Sequence, residues 1–449
     1  MTKGWIGVAL LAGWLGVSAS AYAQPNPASP APVGPGNPGA PGAAGAPAPG
    51  HDPGPPPPYP ATGLWPGQEA PAESLPPNAF SNVHPEQVGP SPCVYLGVDY
   101  LHWWIRKRQV PPLVTLGSVN DTVPGAGGQP GTINFIGQGT LDVGDQSGVR
   151  LNAVVWFDQD HTFGIDGSAF WFPDVSEKRI IAGFGGSNSL AVLARPFFNV
   201  NSGQQDADPI VFPGVQAGAM TVTMPRQFWG ADADLRYSAC VDCGPITRWS
   251  LLAGARYLLL NEKLLIAETV FDLPDIFGTP GNTTALQDNF VTSNRFYGGQ
   301  LGVETESRVG PVVVTTTAKV AVGRTYETIT VNGATLLTLP TGEQFFDPRR
   351  GLLVQPTNIG RFNRHQLSVA PEIALNLAWD FNEHFRASLG YTFLYWSKVA
   401  RPGDQIDREV NVGAIGAPTQ FGTSPHPIMP FNTTGFWAQG LTAGLEVSF

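Results

Sequence analysis

"GVRLNAVVWFDQDHTFGIDGSAFWF", Gly148 to Phe172, reads as two strands and a turn. In its first half Val149, Leu151, Ala153, Val155 and Phe157 fall on one parity, with Arg150, Asn152 and Trp156 on the other. In its second half Phe163, Ile165, Ala169 and Trp171 share a face, and Gly164, Asp166 and Ser168 lie opposite. Successive strand side chains point to opposite faces, so a period of two marks a strand with two different surroundings. Only "DQDH", Asp158 to His161, separates the halves, which is hairpin length.

The same texture recurs from residue 93 onward. It predicts ten strands, at about 94–104, 148–157, 162–172, 226–237, 249–261, 294–308, 312–325, 365–379, 385–396 and 436–449. Connections after strands 1, 3, 5, 7 and 9 are long. Those after strands 2, 4, 6 and 8 are short: "DQDH", "SACVDCGPITR", "VGP" and "DFNEH". Long loops on one side and tight turns on the other are the layout of an all-β, antiparallel, up-and-down transmembrane β-barrel of the outer-membrane kind. The even count returns both chain ends to the short-turn, periplasmic side. "LGSVNDTVPGAGG" and "SNSLAVLARPFFNV" are long-loop stretches able to hide further hairpins, which would raise the count to 12 or 14.

A soluble sandwich also alternates, so the faces must decide. One parity of each strand is read as free of Asp, Glu, Lys and Arg. The opposite parity, rich in small residues, carries Asp99, Arg150, Asp166, Asp232, Asp234, Arg236, Arg256, Glu304, Glu306, Lys319, Glu372, Arg386 and Glu446. Small side chains suit the inside of a tightly curved wall, so this charged face is expected to line the lumen. A charge on the lipid side would cost roughly 2–4 kcal/mol at mid-membrane. On the outward parity, Phe157, Phe163, Tyr237, Trp249, Trp379, Phe385 and Phe449 fall at one end of the strands. Trp104, Trp171, Trp229, Tyr395 and Trp437 fall at the other. These are two girdles at headgroup level. The last strand, "GLTAGLEVSF", ends on Phe449 with Val447, Leu445, Ala443 and Leu441 before it at every second position. That pattern is expected to engage the barrel insertion machinery.

Composition agrees. The chain has 449 residues and a formal net charge of −10, which leaves no electrostatic footprint for nucleic acid. Residues 1–23 read as a secretory signal: Lys3, a short apolar core from Ile6 to Val17, and small residues at Ala21 and Ala23 before a cleavage point. Residues 24–92 hold 22 of the 44 prolines and no Lys or Arg. Such a segment cannot offset its ordering entropy, so it is expected to be a disordered, polyproline-like periplasmic tether. Residues 93–449 are then the barrel.

Candidate chemistry is sparse. "FLYWSKVARPGDQIDREVN", Phe393 to Asn411, gathers Lys398, Arg401, Asp404, Asp407, Arg408 and Glu409. In a chain with 13% charged residues that cluster raises a metal site or an acid pair. The preferred reading makes Lys398, Arg401, Asp404, Asp407 and Arg408 the first part of an outer loop, in which Asp404 and Asp407 pair with Lys398, Arg401 and Arg408 and fold the loop onto the rim or into the mouth, with Arg401–Pro402–Gly403–Asp404 turning the chain. Cys240 and Cys243 form a C-x-x-C pair without a second pair or nearby His to complete a zinc site, so a small disulfide or two thiols in a turn is preferred. Of the seven histidines only His102, His365 and His426 fall near the outer side, and no Gly-x-Ser-x-Gly elbow exists. No catalytic, metal or cofactor site is assigned.

Several stretches resemble the putative beta-barrel porin-7 family of bacterial outer-membrane proteins: "YLHWWIRKRQVPPLVTLGS", the opening hairpin, "LARPFFNV", "GARYLLLNEKL", "NRFYGGQLG", "VQPTNIGRFNRHQLSVAPEIALNL" and "YWSKVARPGDQID". Lys398 and Ala400 depart from the family pattern. The resemblance covers about 94–449 and implies an outer-membrane barrel without a known substrate. Three functions follow as expectations: a narrow channel for small polar solutes, a structural or adhesive envelope barrel with no open pore, and, least favoured, an outer-membrane hydrolase.

Overall fold

The computed structural model describes residues 93–141, 144–243, 246–274, 278–414 and 424–449. The chain divides into two units, 1–81 and 82–449, and the described residues belong to the second. The expected signal and tether lie outside the described residues, as do the side chains of Cys240 and Cys243.

Ten long strands form the wall: β1 Val94–Ile105, β2 Asp145–Trp156, β3 Phe163–Gly183, β4 Gln216–Cys243, β5 Ile246–Asp272, β6 Thr283–Val309, β7 Val312–Thr338, β8 Gly360–Asp380, β9 Phe385–Val399 and β10 Thr434–Ser448. Each pairs antiparallel with its chain neighbours, and β1 pairs with β10 from Tyr95↔Ser448 to Ile105↔Ala438. The sheet therefore closes at ten strands and leaves no open edge through the lower wall. The 12- or 14-strand alternative is corrected. The extra strands at 114–118, 133–136, 191–199 and 204–211 pair among themselves in a separate small sheet, and 191–199 also pairs with 409–410.

The short turns are set by their residues. Asp158 accepts backbone N–H bonds from Thr162 and Phe163, each 2.8 Å. Asn382 does the same for His384 at 2.9 Å and Phe385 at 2.8 Å. Between β6 and β7, Val309 faces Val312 across a two-residue loop in which Gly310 adopts φ of 61°. That left-handed conformation suits glycine and matches the hairpin twist.

The outward parity is apolar and exposed through the lower wall. Leu251 on β5, Leu301 on β6 and Leu375 on β8 are 58%, 69% and 53% exposed, in positions that lipid would cover. Trp249 and Tyr257 bracket the band on β5, eight residues apart, or roughly 20 Å at a 40° tilt. The expectation of a wholly uncharged outward face fails at two positions. Arg295 on β6 and Arg324 on β7 are exposed on the lipid-facing parity. Both lie at the outer end, where such a charge costs only about 0–1 kcal/mol.

Six strands also run beyond their expected ends. β5 continues 15 residues past Tyr257, to Asp272, so the wall rises ~35–40 Å above the apolar band. Out there the outward residues turn polar, as at Asn261, Lys263 and Ser293, while the inward ones keep their burial. The small sheet fills this turret. Its core joins Val114, Phe197, Ile210 and Val410 from the loops to Val222, Ile266, Phe290 and Val331 of the wall.

Candidate functional site

The interior holds three stacked layers. In the lowest, Lys319 of β7 places Nζ 2.9 Å from Asp232 and 2.9 Å from Asp234, both on β4. Arg256 of β5 donates to Glu372 of β8 at 2.8 Å and to Asp232 at 3.4 Å. Arg236 of β4 binds Glu304 of β6 at 2.6 Å and Asp166 of β3 at 2.5 Å. Arg150 of β2 lies 3.7 Å from Glu372. Gln300 donates to both oxygens of Asp234 at 2.7 Å, and Asn152 donates to Asp99 at 2.8 Å. Lys319 and Asp232 stand three strands apart around the wall, as do Arg256 and Glu372. These bonds consequently cross the lumen.

Nearer the short-turn end, Asp380 accepts from Arg308 and Arg386 at 2.6 Å each, and Arg386 reaches Glu446 at 3.3 Å. Glu306 lies 3.8 Å from Arg308. Trp156, buried in the same region, stacks on the His161 ring at 5.1 Å.

Above the charges sits an aromatic layer. Trp103, Phe170, Phe172, Phe228, Phe296, Trp396 and Phe436 are all buried. Phe228 of β4 meets Phe436 of β10 at 5.0 Å, edge to face, and Phe296 of β6 meets Trp396 of β9 at 6.0 Å. Such pairs add to burial through ring quadrupoles. Trp396 points inward and donates Nε1–H to Thr325 at 2.9 Å. Gly230 makes room here: a Cβ would lie 2.6 Å from Leu258 and 2.7 Å from Phe170. The Arg150 guanidinium sits 5.3 Å from the Trp103 ring and ties this layer to the one below.

The third layer is the mouth. Arg401 is 3% exposed and lies inside the barrel, so of the two expected places for this loop, rim or mouth, it takes the mouth. It grips Glu262 of β5 with Nε and Nη2, both at 2.9 Å, and Arg108 adds Nε at 3.0 Å. Arg401 also donates to the Lys107 carbonyl at 2.9 Å. Burial alone would raise the Glu262 carboxyl. Arg401 and then Arg108 outweigh it and hold it down at about 2. Asn294 of β6 completes the anchor by exchanging two 2.9 Å bonds with the Ala400 backbone.

Higher still, Arg195 of the small sheet lies 3.4 Å from Glu268 of β5 and 2.5 Å from Asp288 of β6. Asp288 also accepts from the Val354 N–H at 2.9 Å. With one guanidinium among three acids, burial pushes Glu268 up to about 8 despite Arg195, and raises Asp208 in the same way.

The expected mutual pairing of the rim charges is corrected. Arg401 turns to Glu262, and Asp407 turns to His426, whose Nδ1 is 2.8 Å from Asp407 and 3.1 Å from Glu409. Asp407 also accepts the Ile428 N–H at 2.7 Å. These contacts staple two arms of the outer loop. Burial raises Asp404 and lowers Arg408. Lys398 occupies a left-handed turn at φ 53°. Of the other outer histidines, His102 pairs with Asp145 at 2.8 Å, and His365 packs against Tyr326 at 6.0 Å.

Glu262, Arg108, Arg195, Glu268 and Asp288 were absent from the sequence-based candidates. The signal existed: from Leu252 through Glu262 to Glu268 the inward parity of β5 never changes. The Glu262–Lys263 pair read as a strand end.

Comparison with solved structures gives matches of low score. The outer membrane protease OmpT from Escherichia coli matches at 8% identity, over 80% of this chain and 97% of that one, with a TM-score of 0.33. The Pseudomonas putida toluene transporter TodX matches at 8% identity, over 80% and 90%, with a TM-score of 0.18. The CymD monoaromatic hydrocarbon channel matches at 9%, over 80% and 89%, with a TM-score of 0.17. Scores this low carry no argument. No curated protein matches. The model of one family, Putative beta barrel porin-7, matches residues 95–449. That is the whole wall with its loops, and the chain belongs to the Putative beta barrel porin-7 family, a porin-like β-barrel of the bacterial outer membrane.

Proposed function

We propose that this protein is a structural barrel of the outer membrane with no standing pore, carrying a rigid turret on the cell surface. The observation behind this reading is the Lys319–Asp232–Asp234 bridge, which joins strands three apart around the wall under a packed aromatic layer. A narrow charged lumen is expected to close in this way, because each unpaired charge would be costly there. Ten strands fall just above the eight-stranded barrels that side chains fill, and well short of the 16 or more that leave open aqueous channels. In this reading residues 24–92 tether the barrel to periplasmic material, and the strand ending at Phe449 addresses it to the insertion machinery.

The test is swelling of liposomes that contain the refolded chain, in isotonic solutions of small sugars and amino acids. The expected result is swelling no faster than in empty liposomes.

The narrow channel for small polar solutes is the second reading. The charged layer favours it, because that layer would hydrate readily if the aromatics above it moved. Fast swelling with small solutes only would establish the channel in place of the closed barrel.

A further inference from the structure

The lumen cations Arg150, Arg236, Arg256, Lys319 and Arg386 all face carboxylates. Arg295 and Arg324 face the other way. Both are exposed on the outer surface of the wall, and among the described residues neither makes an ion pair. Arg295 stands opposite Tyr326, and Tyr297 stands opposite Arg324. Arg295 and Arg324 are thus diagonal neighbours on one face, at a separation of roughly 7–8 Å.

Aromatic rings frame them across four strands. Tyr257 meets Tyr297 at 4.9 Å, Tyr297 meets Tyr326 at 5.9 Å, and Tyr326 meets His365 at 6.0 Å. Arg295 pairs in register with Leu259, ten residues above Trp249 on β5. That places it roughly 25 Å above the lower girdle, at the upper edge of the apolar band.

Two like charges side by side repel, and the wall supplies them with no anion. At this height the available anions belong to lipid headgroups. A guanidinium presents a planar fork that matches phosphate with two parallel bonds, while tyrosines sit stably at the headgroup level. We propose that Arg295 and Arg324, framed by Tyr257, Tyr297, Tyr326 and His365, bind the phosphate of a glycolipid headgroup in the outer leaflet. This rests on the barrel spanning the outer membrane, and it holds whether or not the lumen conducts.

The test titrates the refolded full chain, in neutral detergent, with bisphosphorylated lipid A and with its dephosphorylated form, and counts bound lipid by native mass spectrometry. The expected result is about tenfold tighter binding of the phosphorylated form, equal to ~1.4 kcal/mol. The preference should weaken as salt is raised and vanish in the Arg295→Gln/Arg324→Gln variant. It should survive Arg361→Gln, which alters an exposed cation farther out on β8. Equal binding of the two lipids, a salt-insensitive preference in the native sequence, or a preference retained by the double variant would each overturn the assignment. Complete displacement of the lipid by inorganic phosphate would overturn its assignment to a membrane lipid.

Discussion

Replacing Glu262 with Gln should unlatch the mouth. Glu262 is 1% exposed and accepts three charged hydrogen bonds, at 2.9, 2.9 and 3.0 Å, from Arg401 and Arg108. Gln keeps the shape and removes the charge, which leaves two buried guanidiniums facing a neutral amide. Breaking a buried pair from one side costs about 3–5 kcal/mol. The carboxyl gives an independent figure. Its fall from 4.5 to about 2 corresponds to ~3 kcal/mol at 1.36 kcal/mol per unit. Because the folded value is depressed, the contribution is complete above 4.5 and is lost as pH falls through 2. Urea unfolding of the refolded chain in lipid vesicles, followed by tryptophan fluorescence, measures the difference. The variant should be weaker by about 3 kcal/mol at neutral pH, and the gap should close near pH 2. A loss under ~1 kcal/mol, within the range of an exposed pair, would refute the reasoning. So would a gap that is the same at both pH values.

Glu268 has the opposite sign. Its folded value, about 8, lies above the ordinary 4.5, so its stabilising effect is complete below 4.5 and is lost as pH rises through 8. Hydrogen exchange in 191–211 should speed up between pH 6 and pH 9, beyond the intrinsic increase for an unstructured peptide. Trp103→Ala removes a fully buried ring from the aromatic layer and should cost about 3–5 kcal/mol in the same urea assay. Leu301, 69% exposed midway between the girdles, tests the membrane placement. Leu301→Arg should destabilise by roughly 2–4 kcal/mol in vesicles, and a neutral result would place the lipid band elsewhere.

The lower wall was legible because lipid imposes a simple code. From Val149 to Phe157 every second residue is apolar or small, and a slip of one position would turn Arg150 toward hydrocarbon. Above Tyr257 that code lapses. Both sides of the wall meet either protein or water, so Asn261 and Lys263 stand outward beside inward Glu262. The strands continue there, but their alternation no longer tracks polarity. Arg295 and Arg324 sit where one regime gives way to the other. The mouth was illegible for a different reason: Glu262 and Arg401 are 139 positions apart in the chain. Nothing local in "SKVARPGDQIDREVN" points to β5, whereas Asp404 and Asp407 lie close by and are the natural partners on sequence alone.

In the proposed closed barrel the lumen is filled from the charged layer to the mouth. Single-channel recording in planar bilayers tests it most directly. The native sequence should insert without producing stepwise current at either polarity. Steady, uniform conductance steps from the native protein, at neutral pH and moderate voltage, would contradict the account.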